Sequence, residues 1–266
     1  DIYCVGECWS GEAEILEYYG AMNCFNFAMS GAEGQAANAA KGQSLAAFVK
    51  YIESYQDKVQ RANPEGIPMQ FLSNHDQDRI GGAFATASNM KMAANLYLLS
   101  PGSPFIYYGE EIGIRGSRGS AMTDANRRLA MLWGDGDKVG NPIGTTYKTE
   151  NQITDTVVSE LEDEDSILNH YSKLINVRTR YKAIARGDYK AFTTSNKNIA
   201  GFIVEYEGEL LFIVHNNSAY EVSIDLSTVK NLEGYDISKL CEYLGENASL
   251  KGTTLKIGGY TSAILM

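Results

Sequence analysis

The sequence predicts an α/β domain over residues 1–184, followed by a small antiparallel all-β domain over residues 185–266. Two observations predict the first domain: short apolar runs alternate with helical patterns, and two of those runs end in clusters of polar side chains. One observation predicts the second domain, because the remainder of the chain consists of short strand-like runs separated by turn residues. The chain is therefore expected to fold as two units.

The α/β domain is predicted to contain four short strands and three long helices. The strands are expected at about residues 2–6, 24–27, 69–72 and 104–108. The helices are expected at about residues 43–61, 86–99 and 165–181, because apolar residues recur there at helical spacing and turn residues follow. A polar stretch at about 113–160 is long for a connection, and long connections are commonly functional or mobile.

The all-β domain is predicted from a hairpin and a series of later strands. Two apolar runs flank Glu207-Gly208, which is typical of a two-residue hairpin turn. Further strand-like runs lie at residues 222–226, 242–245, 255–257 and 260–266. These runs indicate an antiparallel sandwich of about 80 residues.

Composition excludes several classes of partner. The formal net charge is −10 and the isoelectric point is about 4.9. Without a basic stripe to neutralise phosphates, nucleic acid and anionic membrane surfaces are not expected as partners. No apolar run approaches the roughly 18 residues of a membrane span. The four cysteines show neither disulfide-framework nor zinc spacing, so buried thiols are expected, in either an oxidising or a reducing compartment.

Two apolar runs end in side chains that can carry chemistry. The first, at residues 2–5, is followed by Glu7 and Trp9. The second, at residues 71–72, ends in a polar cluster: Asn74, His75, Asp76 and Arg79. Catalytic groups of α/β barrels lie at the carboxyl ends of the strands. Two carboxylates at two strand ends, one beside an aromatic ring, therefore predict acid/base chemistry on a sugar.

These segments resemble signature regions of the α-amylase family of glycoside hydrolases. IYCVGECWSG (2–11) and FLSNHDQDR (71–79) each match in residue type and order, and SPGSPFIYYGEEIG (100–113) resembles the region of the eighth barrel strand. The resemblance implies that the chain contains strands five to eight of a (β/α)8 barrel and the β domain that follows it. Half a barrel leaves two open sheet edges and an uncovered interior, so a complementary N-terminal half is expected as a partner.

The resemblance assigns a role to each candidate residue. Glu7 is expected to be the general acid/base, and partial burial against Trp9 would favour its protonated form. Asp76 is expected to stabilise the oxocarbenium-like transition state, with His75 as a hydrogen-bond donor to the same sugar. Trp9 is either a stacking platform for a sugar ring or a core aromatic that covers the barrel rim.

The neighbouring polar residues are expected to support the site. Asn74 and Arg79 are predicted to orient Asp76 and its strand. Tyr107, Tyr108, Glu110 and Glu111 are predicted to shape the pocket floor or to pair with arginines, and structural roles are expected for Arg127, Arg128 and Trp133. No metal ligands are predicted, and residues 135–137 are expected to form a solvated turn rather than a calcium site.

One part of the family pattern is not found in these 266 residues. The family's nucleophile is an Asp on the fourth barrel strand, and no segment here matches its motif. The expected function is therefore one part of a retaining hydrolase of α-glucans or malto-oligosaccharides, inactive without the other half. No cofactor is expected from this chain, and calcium remains possible in the complete enzyme. The alternatives are a non-catalytic carbohydrate-binding or scaffold homologue, and a transglycosylase.

Overall fold

A computed structural model describes residues 3–120, 122, 124–136, 139–152 and 155–266 of the chain. The helices are α1 (Glu12–Tyr18), α2 (Gln35–Ala40), α3 (Leu45–Ala62), α4 (Ala87–Leu98), α5 (Val157–Glu162), α6 (Ile167–Arg180) and α7 (Lys182–Arg186). The strands are β1 (Val5–Gly6), β2 (Asn23–Cys24), β3 (Met69–Phe71), β4 (Ser103–Phe105), β5 (Asp188–Thr193), β6 (Ile199–Tyr206), β7 (Glu209–Asn216), β8 (Val222–Asp225), β9 (Leu240–Leu244), β10 (Ala248–Lys251), β11 (Thr254–Ile257) and β12 (Thr261–Leu265).

The first four strands are parallel and adjacent in chain order. Strand β1 pairs with β2, and β3 pairs with β4, both in parallel register. A parallel bridge between Phe25 and Met69 joins the two pairs. Four parallel strands with intervening helices form the C-terminal half of a (β/α)8 barrel, which confirms the predicted fold class.

The two faces of this half barrel have different surroundings. Leu72, just after β3, belongs to a buried core that also contains residues of α3, α4 and α6. Phe71 alternates to the opposite face, where its ring and that of Phe105 both lie edge-on to Phe25, with centroid distances of 5.1 and 4.8 Å. Phe105 remains 38% exposed, so this aromatic face is incompletely covered. It corresponds to the interior of a closed barrel.

The C-terminal unit is an antiparallel sandwich, as predicted. One sheet has the strand order β5-β6-β7-β12-β9 and the other has the order β10-β11-β8. Apolar residues of both sheets form a separate buried core, including Phe212, Leu255 and Ile257. The predicted hairpin joins β6 to β7, and its turn residues Glu207 and Gly208 have φ angles of 48° and 85°. Two positive φ angles match a two-residue hairpin turn that follows the twist of the strands.

The half barrel and the sandwich share one hydrophobic core. Residues of α3, such as Phe48 and Ile52, lie in the same buried cluster as Phe202 on β6 and Ile213 on β7. Helix α3 also contacts β5 through polar groups, since Gln56 Oε1 accepts from the backbone N–H of Tyr189 at 2.9 Å. The sandwich is therefore packed directly on the helical layer that surrounds the parallel strands.

The long helices were predicted within two residues at each end, whereas short elements were missed. The missed elements are α1, α2, α5, α7, β5 and β10, each too short to show a clear period in the sequence. The first predicted strand, at about residues 2–6, is reduced to β1. Ile2 of that strand lies outside the described residues, and so does Asp137 of the expected turn at residues 135–137. Within the described part of the chain, no helix combines the length and apolarity needed to cross a bilayer.

Arg178 on α6 stabilises the end of α4, and its replacement by Met is expected to be destabilising. Its Nη1 donates to the carbonyl oxygens of Leu98 and Ser100 at 2.6 and 2.8 Å, and its Nη2 donates to that of Gly102. Removing a charged donor from these carbonyls should lower the free energy of unfolding by about 3 kcal/mol. Chemical denaturation with circular dichroism measures this change.

The matched control for Arg178→Met is Arg180→Met, two residues along the same helix. Arg180 is exposed and pairs with Glu242 at the surface, so its loss should cost less than about 1 kcal/mol. Equal effects of the two substitutions would contradict the capping role of Arg178.

Candidate active site

Glu7 and Asp76 lie at the carboxyl ends of two parallel strands, and Asn74 connects them. Glu7 follows β1, and Asp76 follows β3. The side-chain Nδ2 of Asn74 donates to Glu7 Oε1 at 3.2 Å, while Asn74 Oδ1 accepts from the backbone N–H of Asp76 at 3.0 Å. Asn74 thus contacts the carboxylate of Glu7 and the backbone of Asp76, the two acidic residues that the sequence singled out.

The Asp76 carboxylate is held by two positively polarised groups. Arg128 Nη2 donates to Asp76 Oδ1 at 2.7 Å, and His75 Nε2 lies 3.3 Å from Asp76 Oδ2. The backbone carbonyl of Asp76 accepts from Arg127 Nη1 at 2.7 Å. These contacts fix the orientation of the carboxyl group. Its side chain stays about one-third exposed, so a ligand can reach it.

Arg127 and Arg128 belong to the long polar stretch and were expected to be structural. Both contact Asp124: Arg127 Nη1 at 2.9 Å and Arg128 Nη2 at 3.5 Å. Arg127 Nε also donates to Asp78 Oδ1 at 2.8 Å. The two arginines therefore attach a loop some 50 residues downstream to the turn that carries Asp76. No pattern in the sequence predicts this contact, because the loop has no hydrophobic period that would fix its path.

Trp9 is exposed, and Glu7 is not shielded by it. Trp9 is 60% exposed, and its ring stacks on Phe27 with centroids 5.1 Å apart and planes 24° from parallel. The described residues therefore do not cover Trp9, and its role as a stacking platform or as an aromatic of the barrel rim stays a prediction. The expected partial burial of Glu7 is also not observed, since Glu7 is exposed. The stacking partner of Trp9 is Phe27, which leaves one ring face toward solvent.

An open cleft of about 810 Å³ lies beside these residues. We call it the Trp9 cleft; it is lined by Trp9, residues 30–34, Asp76, Asp78 and Arg127, among others. It combines an exposed aromatic ring with carboxylate and guanidinium groups. An aromatic face for stacking and several hydrogen-bonding groups suit a sugar ring, which has both apolar C–H faces and hydroxyl groups.

Arg79, which was predicted to orient Asp76 and its strand, is buried and contacts the segments after β4. It is 3% exposed, and its Nη1 and Nη2 donate to the carbonyl oxygens of Tyr108 and Leu129 at 2.6 and 3.3 Å. Its guanidinium lies over the rings of Tyr107 and Tyr108, 4.7 and 4.5 Å from their centroids. Arg79 therefore supports the segment after β4, because a buried cation needs several acceptors to replace its hydration.

Glu110 was expected to shape the pocket floor or to pair with an arginine, and it does neither. It is 2% exposed, and its Oε1 accepts hydrogen bonds from Tyr97 Oη at 2.6 Å and Tyr171 Oη at 3.2 Å. Burial raises the pKa of the Glu110 carboxyl to about 8, although the two tyrosine hydrogen bonds oppose this shift. Glu110 is consequently protonated at neutral pH and serves the core between α4 and α6.

This buried acid should make stability fall as pH rises. Between about pH 5 and pH 8 the folded protein keeps the Glu110 proton, whereas the unfolded chain releases it. The free energy of unfolding is then expected to fall by about 1.4 kcal/mol per pH unit relative to Glu110→Gln, which cannot titrate and keeps the accepting oxygen. Urea denaturation of both proteins across this range measures the difference.

Comparing the two proteins at each pH removes the contribution of other groups. Burial lowers the pKa of His170 and His215 to about 3. The free energy of unfolding that their neutral rings contribute is therefore lost only as the pH falls from about 6.5 toward 3. Parallel pH profiles for the wild type and Glu110→Gln would show that Glu110 does not hold a proton in the folded state.

The described residues contain no group of three or more His, Cys, Asp or Glu side chains that could hold a metal ion.

Two family models match the chain in succession. The model of the α-amylase catalytic domain matches residues 1–187. The model of the α-amylase SusG C-terminal domain matches residues 199–264.

Individual relatives match over the entire length of the chain. Alpha-amylase 3 of Dictyoglomus thermophilum is 29% identical over 269 residues, covering 100% of this chain and 51% of that protein. Alpha-amylase SusG of Bacteroides thetaiotaomicron is 32% identical over 276 residues, covering 99% of this chain and 38% of that protein. The chain therefore spans about half, or less, of the length of these relatives.

The same similarity is seen in three dimensions. Eubacterium rectale Amy13B superposes with a TM-score of 0.86 at 31% identity, covering 99% of this chain and 52% of that one. The α-amylase from H. orenii superposes with a TM-score of 0.80 at 27% identity, covering 99% and 53%.

Proposed function

The chain belongs to the α-amylase family of glycoside hydrolases, and from this premise we propose that it supplies the acid/base part of a retaining α-glucan hydrolase. The observation that carries the proposal is the Asn74 link, which places Glu7 and Asp76 together at the carboxyl ends of two parallel strands. The complete enzyme would contain a complementary half barrel, which closes the open sheet and covers its aromatic face.

In the proposed mechanism Glu7 acts first as an acid. It transfers its proton to the glycosidic oxygen, which is a poor leaving group until it is protonated. An Asp of the complementary half attacks the anomeric carbon, so that a C–O bond to the enzyme forms as the bond to the leaving sugar breaks. The leaving sugar departs with a free hydroxyl group, and Glu7 remains as a carboxylate.

Glu7 then acts as a base. Its carboxylate takes a proton from water, the water oxygen bonds to the anomeric carbon, and the bond to the nucleophilic Asp breaks. Two inversions at the same carbon retain the α configuration. The carboxyl groups of Glu7 and of the nucleophilic Asp must lie about 5 Å apart. The complementary half must therefore place its Asp close to the end of β1.

Asp76 and His75 act on the sugar that reacts. As the ring flattens toward the oxocarbenium-like state, positive charge develops on it, and the Asp76 carboxylate held by Arg128 stabilises that charge. His75 would donate a hydrogen bond to a hydroxyl group of the same sugar. Trp9 would stack on a neighbouring sugar in the Trp9 cleft. None of these steps needs a cofactor from this chain.

The anomeric form of the first product tests this proposal. The complete enzyme should release α-configured malto-oligosaccharides from maltoheptaose, as followed by proton NMR before mutarotation, and this chain alone should release none. Initial release of the β form would exclude double displacement. Binding of maltoheptaose without any hydrolysis by the complete protein would favour the carbohydrate-binding or scaffold function instead.

A further inference from the structure

A side chain of the β domain binds the α/β domain close to the Trp9 cleft. Asn217 Nδ2 donates to the carbonyl oxygens of Ala39 and Gln43, each at 2.7 Å. Only 1% of Asn217 is exposed. Ala39 lies in the last turn of α2, and Gln43 lies just beyond it. The carbonyl oxygen of Ala39 also accepts from the backbone N–H of Gly42 at 3.0 Å, so Asn217 adds a second hydrogen bond there and supplies one to the carbonyl oxygen of Gln43.

Asn217 is itself fixed by the turns of the β domain. Asn198 Nδ2 donates to Asn217 Oδ1 at 2.7 Å, and the backbone N–H of Asn217 donates to the carbonyl oxygen of Asn198 at 3.2 Å. The backbone carbonyl oxygen of the adjacent Lys197 accepts a hydrogen bond from the backbone N–H of Leu45 at 3.1 Å. The β domain therefore contacts both the end of α2 and the start of α3 through a rigid pair of turns.

The other end of α2 leads directly into the Trp9 cleft. Residues 30–34 precede α2 and line this cleft together with Trp9 and Asp76. The backbone N–H of Gly31 donates to the carbonyl oxygen of Leu72 at 2.7 Å, and Gln77 Nε2 donates to Ser30 Oγ at 3.0 Å. Residues 30–34 are thus attached to the end of β3 and to the turn that carries Asp76.

Helix α2 lies between the Asn217 contact and residues 30–34 and connects them. It has six residues, a length of about 9 Å, and four of its alanines are buried. A chain of side-chain hydrogen bonds runs along it: Gln43 Nε2 donates to Asn38 Oδ1 at 3.1 Å, and Asn38 Nδ2 donates to the carbonyl oxygen of Glu33 at 2.8 Å. A displacement at Gln43 would therefore be passed on to Glu33 in the cleft wall.

We infer that Asn217 is a positioning residue through which the β domain sets residues 30–34 of the Trp9 cleft, and thereby the affinity for extended α-glucan chains. The affinity part of this inference rests on the proposed function; the positioning part does not. A glucan chain that continues past the reacting bond would contact this wall beside Trp9, whereas a short substrate would not. The β domain would then contribute to substrate binding although none of its residues lines the described cleft.

Hydrogen exchange in the complete enzyme tests the positioning. Asn217→Ala should make the amides of residues 31–43 exchange about tenfold faster, as expected for the loss of two hydrogen bonds from a buried amide group. Asn217→Asp is the second variant: it keeps the oxygen that accepts from Asn198 but turns the donor into an oxygen that faces two carbonyl groups, so its effect should be at least as large. Unchanged exchange of residues 31–43 in either folded variant would overturn the inference.

The matched control is Asn216→Ala. Asn216 is fully buried next to Asn217, and its Nδ2 donates to the carbonyl oxygens of Tyr220, Ile257 and Gly258, all within the β domain. Its loss should destabilise the β domain without altering exchange in residues 31–43. Equal exchange in the two alanine variants would mean that Asn217 is only a general stabilising residue, which also overturns the inference.

Kinetics test the affinity. Asn217→Ala should raise KM for maltoheptaose about fivefold and leave kcat for maltotriose within about twofold, since a hydrogen-bonded wall and not the reacting groups is displaced. Asn216→Ala should leave both values unchanged per folded molecule. An unchanged KM for maltoheptaose overturns the affinity part. If the complete protein hydrolyses no glucan, the proposed function fails, and the exchange experiment alone decides the positioning role.

Discussion

Replacing Glu7 by Gln in the complete enzyme is expected to lower kcat/KM for malto-oligosaccharides by about 10²–10⁴-fold, the usual contribution of general acid catalysis. Gln retains an oxygen that can accept from Asn74 Nδ2, so the link to the Asp76 turn should persist. The variant therefore removes the proton and leaves the geometry in place. Initial rates on maltoheptaose measure the effect, and activity above about a tenth of the wild type would exclude Glu7 as the acid.

Two controls separate the loss of a proton donor from a loss of structure. An aryl glycoside with an acidic phenol as its leaving group needs little protonation, so its first step should be slowed much less by Glu7→Gln. Glu14→Gln changes another exposed carboxylate, which lies on α1 seven residues after Glu7. Glu14 accepts a hydrogen bond from the side chain of Ser10. It should leave activity near the wild-type value. An equal loss on both substrates would point to disrupted folding.

The positions of Glu7 and Asp76 could be predicted because they depend on local sequence. Each follows a short apolar run, and the carboxyl ends of parallel strands meet at one edge of a sheet. Asn74, two residues from Asp76, was for the same reason correctly expected beside it. The helices α3, α4 and α6 could be predicted from a second local signal, because their apolar residues repeat at helical spacing over several turns.

The contacts that complete the site could not be predicted, because they join distant parts of the chain. Arg128 reaches Asp76 from a loop without periodic pattern, and Asn217 reaches α2 from another domain. The acceptors of Arg79 could not be predicted for the same reason. They are the carbonyl groups of Tyr108 and Leu129, which become adjacent to Arg79 only in the folded chain.

The exposure of Glu7 and of the aromatic face follows from a single cause. Both lie where a closed barrel would have its interior and its rim, and the described strands provide half of that barrel. Covering this face with four further strands would remove water from Phe105 and from the surroundings of Glu7. The surroundings in which Glu7 would act as an acid are thus expected to depend on assembly of the two halves.

Asp76→Asn is expected to lower kcat for maltoheptaose by about 10²–10³-fold while changing KM little, the pattern of a group that acts on charge developing in the transition state. Asn keeps the size of the side chain and an oxygen that can accept from Arg128, but it removes the negative charge. The affinity of a cationic sugar analogue, which resembles the oxocarbenium ion, should fall in parallel with kcat. The affinity for maltose, a neutral product, should change much less.

The control for this variant is Asp57→Asn, which breaks a carboxylate–arginine pair of the same kind on the surface of α3. Asp57 Oδ2 lies 3.7 Å from Arg61 Nη2, and both side chains are exposed. Replacing Asp57 should therefore alter neither kcat nor the affinity for the cationic analogue. If Asp76→Asn instead raised KM and left kcat unchanged, Asp76 would bind the ground state and the transition state equally. Its role would then be substrate binding, and the charge stabilisation in the proposed mechanism would have to come from the complementary half of the barrel.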